Sequence, residues 1–332
     1  MPGRYRLPMP EPRCDEVATV ATARPPGARE REVARALDTA HRATHGHEAL
    51  NAATIADLEN PSPASVSVVA FDPDDRPLGL AHMAPHDTLQ APRLAGSIVL
   101  ASDAGPVVAH RLLDGLVTAC ADAGGGRIVV WTQGTDDDVD RAAMADGFTR
   151  EREQLQMTVA LPIDESPRWP IGVTVRAFVP DLDDDAWLAV NNRAFANHPD
   201  QGSWVADTLA RRRREPWFDP AGFLLAFDAR GLAGFCWTKV HQHAVLGDTP
   251  DPVGEIFVIG VDPDHQGGGL GRALVVGGLD HLVRVRGCPT GMLYLAARNT
   301  AALALYRSLG FHVRRTDRAY AIEVAADRRA RS

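Results

Sequence analysis

The residues best suited to chemistry lie in the run Val261-Asp-Pro-Asp-His-Gln-Gly-Gly-Gly-Leu-Gly-Arg272. A short apolar stretch, Ile256 to Val261, precedes it, and a helix-like run, Ala273 to Leu282, follows it. A strand therefore feeds a glycine-dense turn, and the turn opens a helix. Glycine lets the backbone approach a ligand closely, and the first turn of a helix leaves several N–H groups unpaired. Those donors and the positive end of the helix dipole suit a phosphate or a pyrophosphate.

Three cofactor classes compete for such a turn. A dinucleotide fingerprint needs a third glycine where this chain has Arg272, and a Walker loop needs Gly-Lys-Ser/Thr, which is absent. The third pattern, Gln-x-x-Gly-x-Gly, is met by Gln266, Gly269 and Gly271 directly after a strand. That constellation resembles the acyl-CoA loop of the GCN5-related N-acetyltransferases (GNAT). Asn299, the helix carrying Tyr306, and the ending Ser308-Leu-Gly-Phe311 strengthen the resemblance. It implies acetyl-CoA as co-substrate and no metal. The pyrophosphate would sit on the backbone of Gln266, Gly267, Gly268, Gly269, Leu270, Gly271 and Arg272. The pantetheine arm, an extended amide chain, would pair with Ile259, Gly260 and Val261 like an added strand. Asn299, Thr300, Ala301, Ala302, Leu303 and Ala304 would line the cofactor from the next helix.

Acetylating an amine calls for a base to free the amine and an acid to protonate the departing thiolate. Glu255 begins the strand beside the acyl chain and is the base candidate. Tyr306 lies seven residues, two helical turns, beyond Asn299, so both can face the cofactor, and it is the acid candidate. Outside this context, Glu255 reads as a solvated strand-end carboxylate and Tyr306 as a half-buried core tyrosine.

Longer tracts resemble one branch of that superfamily, the mycothiol synthase family. They include Asn191 to Gly202, Trp204, Glu215 to Pro220, Gly234-Phe-Cys-Trp-Thr-Lys-Val-His241, Gly254 to Pro263, Leu293-Tyr-Leu295 and Arg318-Ala-Tyr-Ala321. The resemblance implies transfer of acetyl from acetyl-CoA to the cysteinyl amine of desacetylmycothiol, a cysteinyl-glucosaminyl-inositol. It matches Glu255 and Tyr306 to base and acid. It matches Asp200, Lys239 and Tyr294, together with Glu48 in His47-Glu-Ala-Leu50, to substrate contacts. Two other readings stay open: acetylation of a different small amine or a protein N-terminus, and a non-catalytic acyl-CoA sensor. The pairing of Glu255 with Tyr306 speaks against a sensor, which needs neither.

The elements that must position these residues occur twice. Met144-Ala-Asp-Gly-Phe148 and Arg307-Ser-Leu-Gly-Phe311 each end a helical pattern, and an amphipathic strand follows each. The same register lays Gly115-Leu116 on Gly278-Leu279, which points to a duplication. The expected organisation is a disordered leader over 1–27, a degenerate domain over 28–161, a proline-rich linker over 162–172 and a catalytic domain over 173–326. Within the second copy, strands are expected at Val173–Ala177, Gly222–Phe227, Gly231–Val240, Ile256–Val261 and Met292–Ala296. Helices are expected from Asp181, with Asp181 or Asp183 as cap, to Ala196, and from Asn299 to Leu309. The fold class is a mixed α/β (α+β) sheet in two similar domains, not a doubly wound sheet.

Bulk properties agree with a small-molecule enzyme. The chain has 332 residues, room for two ordinary domains. A net charge of −8 argues against nucleic acid as the main partner. No apolar run reaches the ~20 residues of a membrane helix, and the start lacks a secretory core. Cys14, Cys120, Cys236 and Cys288 have no metal or redox spacing, which fits a reducing cytoplasm. A cytoplasmic monomer is expected.

The two copies differ where chemistry would occur. In the repeat register Gln266, Gly269 and Gly271 fall on Asp103, Pro106 and Val108, and Tyr306 falls on Ala143. Proline removes a donor and aspartate repels a pyrophosphate, so the first copy is expected to be inactive and to contribute Glu48. In the second copy Gly267 and Gly268 stand where the family commonly has arginines. Acetyl-CoA is then held by backbone donors, with Arg272 to compensate.

Overall fold

Helices and strands recur in one order along the chain because one pattern is written twice. The computed structural model describes residues 19–87, 92–196, 201–242, 246, 249 and 252–326. The first repeat runs β1 (Thr19–Ala23), α1 (Ala28–His45), α2 (Ala52–Glu59), β2 (Val66–Phe71), β3 (Pro77–Asp87), β4 (Pro92–Leu100), α3 (Pro106–Asp122), β5 (Gly126–Thr132), α4 (Asp137–Ala145) and β6 (Thr149–Ala160). The second runs β7 (Thr174–Ala177), α5 (Asp184–Ala194), α6 (Ala206–Arg213), β8 (Phe223–Asp228), β9 (Gly231–His241), β10 (Val253–Val261), α7 (Leu270–Arg284), β11 (Thr290–Ala296), α8 (Thr300–Ser308) and β12 (His312–Val324). The expected Gly-Phe corners follow α4 and α8, with Gly147 and Gly310 both in the left-handed region.

The chain divides into two compact units, and the division is not the one expected at 161 and 173. Of the described residues, the first unit takes 19–86, 92–151 and 318–326; the second takes Asp87 and 152–317. Each repeat thus sends its last strand to the other unit. Gln154 to Ala160 pair antiparallel with β11, and Arg318 to Val324 pair antiparallel with β5. The physical reason is that both strands follow the same Gly-Phe corner and are amphipathic, so each fits either site. A second correction concerns the leader: Thr19 to Ala23 form a strand paired with β2, so 1–27 is not wholly leader.

In the first unit the strand order is β1-β2-β3-β4-β5, then β12, with β4 and β5 parallel. The apolar stripe of α3, with Leu112 and Leu116, and Val139 and Ala142 of α4 pack on one face against Val66, Val68 and Ile128. Helices α1 and α2 cover the other face through Val33, Leu37 and Leu58.

The second unit repeats this, in the order β6-β11-β10-β9-β8-β7, with β10 and β11 parallel. Leu270, Leu274, Val275 and Leu279 of α7 pack on Ile256, Leu293 and Met157, joined by Tyr306 and Leu309. The opposite face holds Trp187 and Val190 of α5 and Leu209 of α6 against Phe223, Phe235 and Trp237. Phe223 and Trp237 stack with centroids 4.4 Å apart. Asp183 precedes α5 as expected, but its carboxylate serves Arg176 (2.6 Å) and the Val179 N–H (2.7 Å), not the first turn.

Candidate active site

The site is organised by a parting of two strands. From Val253 to Ile256, β10 pairs with both β9 and β11. Beyond Leu293, β11 continues on β6, with Tyr294 opposite Gln156 and Ala296 opposite Gln154. β10 instead continues on β9 alone, with Ile259 opposite Cys236 and Val261 opposite Gly234. A bulge between Ile256 and Val258 marks where the paths diverge. Bulges bend a strand and raise its local twist, which opens the wedge. Among the described residues, the edge of Ile259, Gly260 and Val261 that faces away from β9 has no partner strand. That edge offers an extended amide chain its main-chain hydrogen bonds.

The glycine turn stands at the end of the wedge strand. Asp262 is buried, accepts a hydrogen bond from the Asp264 N–H (3.1 Å) and binds Arg193 Nε (2.9 Å), which anchors the start of the loop. Gly267 (φ 84°) and Gly269 (φ 81°) both occupy the left-handed region, and Gly269 is the N-cap of α7. A side chain there would be strained. The space beside Gly267, Gly268 and Gly269 is open, so a ligand can reach the backbone. The unpaired N–H groups of the first turn, Leu270 to Arg272, then point to the anion position.

Arg272 does not stand free as the sequence suggested. Its guanidinium makes a bidentate pair with Glu165 (2.8 and 2.6 Å) and donates to Ser308 Oγ (2.6 Å). That pair raises the arginine and lowers the carboxyl from their usual ranges. Its backbone remains part of the first turn, but its charge is committed to the 162–172 segment. Asn299 is the N-cap of α8, its side chain accepting from the Ala302 N–H (3.1 Å). Thr300 to Ala304 form the first turns of that helix.

Tyr306, on α8, is 6% exposed and packs edge-on to Phe311 with centroids 5.7 Å apart. Burial, with a smaller contribution from Cys236, pushes its phenol well above the ordinary tyrosine range. Burial alone pushes Cys236 up to about 12, so that thiol stays inert. Cys120, Cys236 and Cys288 are all buried and unbridged.

Glu255 occupies the other side of β10. Side chains alternate along a strand, and Tyr306 belongs to the apolar cluster of Ile256, so Glu255 and Tyr306 approach from opposite faces. Registered opposite Glu255 are Lys239 on β9 and Met292 on β11; Tyr294, two residues beyond Met292, shares that face. Lys239, Tyr294 and Glu255 are thereby gathered on one side. The Lys239 ammonium lies 5.0 Å from the Trp217 ring centre and 5.8 Å from that of Phe257. The Tyr294 hydroxyl accepts from Gln156 Nε2 (2.9 Å). One neighbour escaped the sequence reading: His241 Nε2 lies 2.7 Å from Glu255 Oε2. Its position two residues beyond Lys239 on an alternating strand was the available signal.

Two candidates remain. Asp200 lies outside the described residues. Glu48 belongs to the first unit, where its carboxylate lies 3.9 Å from Arg42 and one buried oxygen has no hydrogen-bond partner among the described residues.

A splayed strand pair, a backbone anion cradle, and a carboxylate and a buried phenol on opposite sides of the wedge strand fit an acyl-CoA-dependent N-acyltransferase. The Acetyltransferase (GNAT) family matches residues 185–311, within the second unit. A GCN5-related N-acetyltransferase from Sphaerobacter thermophilus superposes with a TM-score of 0.68 at 21% identity, covering 92% of this chain and 96% of the other. A tandem GNAT protein from the clavulanic acid biosynthesis pathway gives 0.63 at 16% identity, covering 93% and 100%. These likenesses give the tandem GNAT fold. Sequence similarity is narrower. A mycothiol acetyltransferase of Thermobispora bispora is 42% identical over 85% of this chain and 92% of its own. Another, of Thermomonospora curvata, is 45% identical over 70% and 74%. The chain belongs to the mycothiol acetyltransferase family.

Proposed function

We infer that the second unit transfers the acetyl group of acetyl-CoA to the cysteinyl amine of cysteinyl-glucosaminyl-inositol, forming mycothiol. The observation that carries the reaction class is the unpaired edge of Ile259 to Val261 leading into the glycine cradle. The family carries the acceptor.

In this reading the pyrophosphate rests on the N–H groups of Gly267 to Arg272, and the pantetheine adds to the β10 edge. A β10 N–H is then available to the thioester oxygen as negative charge develops there. Glu255 takes a proton from the ammonium, which frees the lone pair. The nitrogen attacks the carbonyl carbon, a C–N bond forms, and the C–S bond breaks. Tyr306 gives its proton to the departing sulfur. Burial makes a phenolate costly, so that proton leaves only as the sulfur takes it. As the amide forms, the nitrogen sheds its second proton to solvent; the proton held by Glu255 restores the phenol through solvent, leaving amide, thiol and one released proton. Lys239 and Tyr294, on the Glu255 face, act as fixed partners for the hydroxyl-rich acceptor.

The test is direct. Purified protein with acetyl-CoA and cysteinyl-glucosaminyl-inositol is expected to release CoA thiol. Release with another amine and none with this one would overturn the acceptor and keep the reaction class.

A further inference from the structure

We propose that His241 is a positioning residue that holds the Glu255 carboxylate in its working orientation. The proposal rests on Glu255 being the base. His241 is registered opposite Val253, and Glu255 lies two residues further along β10, which makes them diagonal neighbours on one face. The closest atoms are Nε2 and Oε2, 2.7 Å apart. An ionised carboxylate has no proton to donate, so the hydrogen sits on Nε2 and the bond is charge-assisted.

The surroundings make this bond consequential. The side chains are 16% and 8% exposed, so water is a poor substitute for either partner. Val253 and Met292, registered on His241 and Glu255, are fully buried and form an apolar floor. The nearby cation, Lys239, is directed over Trp217 and Phe257. With Oε2 engaged by the imidazole, Oε1 is the oxygen left to receive the amine proton. Without that bond the carboxylate can turn within its pocket, and proton transfer depends steeply on such geometry.

Two amide substitutions separate positioning from simple packing. Glutamine places its amide N–H close to where Nε2 lies; asparagine is one methylene too short. His241→Gln is expected to retain kcat within about threefold, and His241→Asn to lose about tenfold to a hundredfold, the range for a lost hydrogen bond to a charged group. KM for acetyl-CoA is expected to hold in both. In a Glu255→Gln background, measured under single turnover, His241→Asn is expected to add no further loss. Native activity in His241→Asn, an equal loss in His241→Gln, or the full loss persisting in the Glu255→Gln background would each overturn the proposal. Full activity of Glu255→Gln on its own would instead remove the base assignment.

Discussion

The two units share an order of elements and differ where chemistry would occur. In the second, eight residues, 262–269, link β10 to α7; in the first, five residues, 101–105, link β4 to α3. The shorter link leaves no room for a glycine cradle. Pro106 fills the first helical position of α3 and removes a donor. Asp103, in the link itself, is gripped by Arg76 (3.2 and 2.8 Å). The strand register shows a further loss. Glu255 is registered on Met292, and the corresponding pair in the first unit is Ala95 and Val129. With Ala143 in place of Tyr306, the first unit has no counterpart of the glycine turn, of Glu255 or of Tyr306 at the corresponding positions. A duplicated scaffold can therefore keep its packing while its two copies differ at a few polar positions. Packing depends on apolar pattern, and chemistry depends on a few polar atoms.

The sharpest way to break this comparison is to make the second unit resemble the first. Glu255→Gln is expected to lower kcat/KM by about 10²–10⁴, the usual contribution of general acid–base catalysis. Thiol release under steady state would measure it, and native activity would mean that the base lies elsewhere. Tyr306→Phe keeps the ring and removes the proton. A loss of about 10–100-fold is expected, with the acetyl-CoA KM unchanged, since sulfur can still take a proton from water. The raised phenol also means that any alkaline fall in activity below its titration does not come from Tyr306. A profile that lost its alkaline limb in Tyr306→Phe would contradict that.

A smaller effect should come from restoring side-chain charge to the cradle. Gly268 borders open space and has no left-handed requirement, so Gly268→Arg is sterically tolerable. It is expected to tighten acetyl-CoA binding by about three- to tenfold, and less at high salt. Unchanged or weaker affinity by calorimetry would argue that Arg272, although tied to Glu165, already suffices. The smallest effect belongs to the first unit. Arg76 holds the Asp103 carboxyl below its usual value of 3.8. Its contribution to stability is thus fully present above that value and fades as the pH falls toward the lowered one. Asp103→Asn is expected to remove that part of the acid dependence of melting and leave thiol release unchanged. A loss of turnover would show that the first unit takes part in chemistry.

Local features of this fold were readable from sequence, and features set by strand pairing were not. The glycine turn, helix α7 and both Gly-Phe corners depend on neighbouring residues, so their types announce them. Helix α6 carries one buried apolar residue, Leu209, among arginines, and offers almost no periodicity to read. Thr19 to Ala23 form too short a run to separate from a leader. The wedge beside Ile259 to Val261 exists because β11 stays on β6 but parts from β10 after Leu293, and no property of β10 alone reports that. The Glu165–Arg272 pair joins residues 107 positions apart, and the His241–Glu255 bond needs the β9–β10 register. Of the candidate site, the glycine turn, Glu255 and Tyr306 were singled out by motif; the bonds around them came from tertiary structure. The same limit hid the exchange of last strands, since two similar strands cannot tell from sequence which sheet receives them.

One titration addresses the difference between the units most directly. Calorimetry of acetyl-CoA into the intact chain counts binding sites without depending on the acceptor. One acetyl-CoA per chain is expected, and its binding should weaken when Gly269, which needs a left-handed backbone, is replaced by Val. Two acetyl-CoA molecules per chain would contradict the account, because the first unit would then hold a cofactor with neither a glycine cradle nor a catalytic pair.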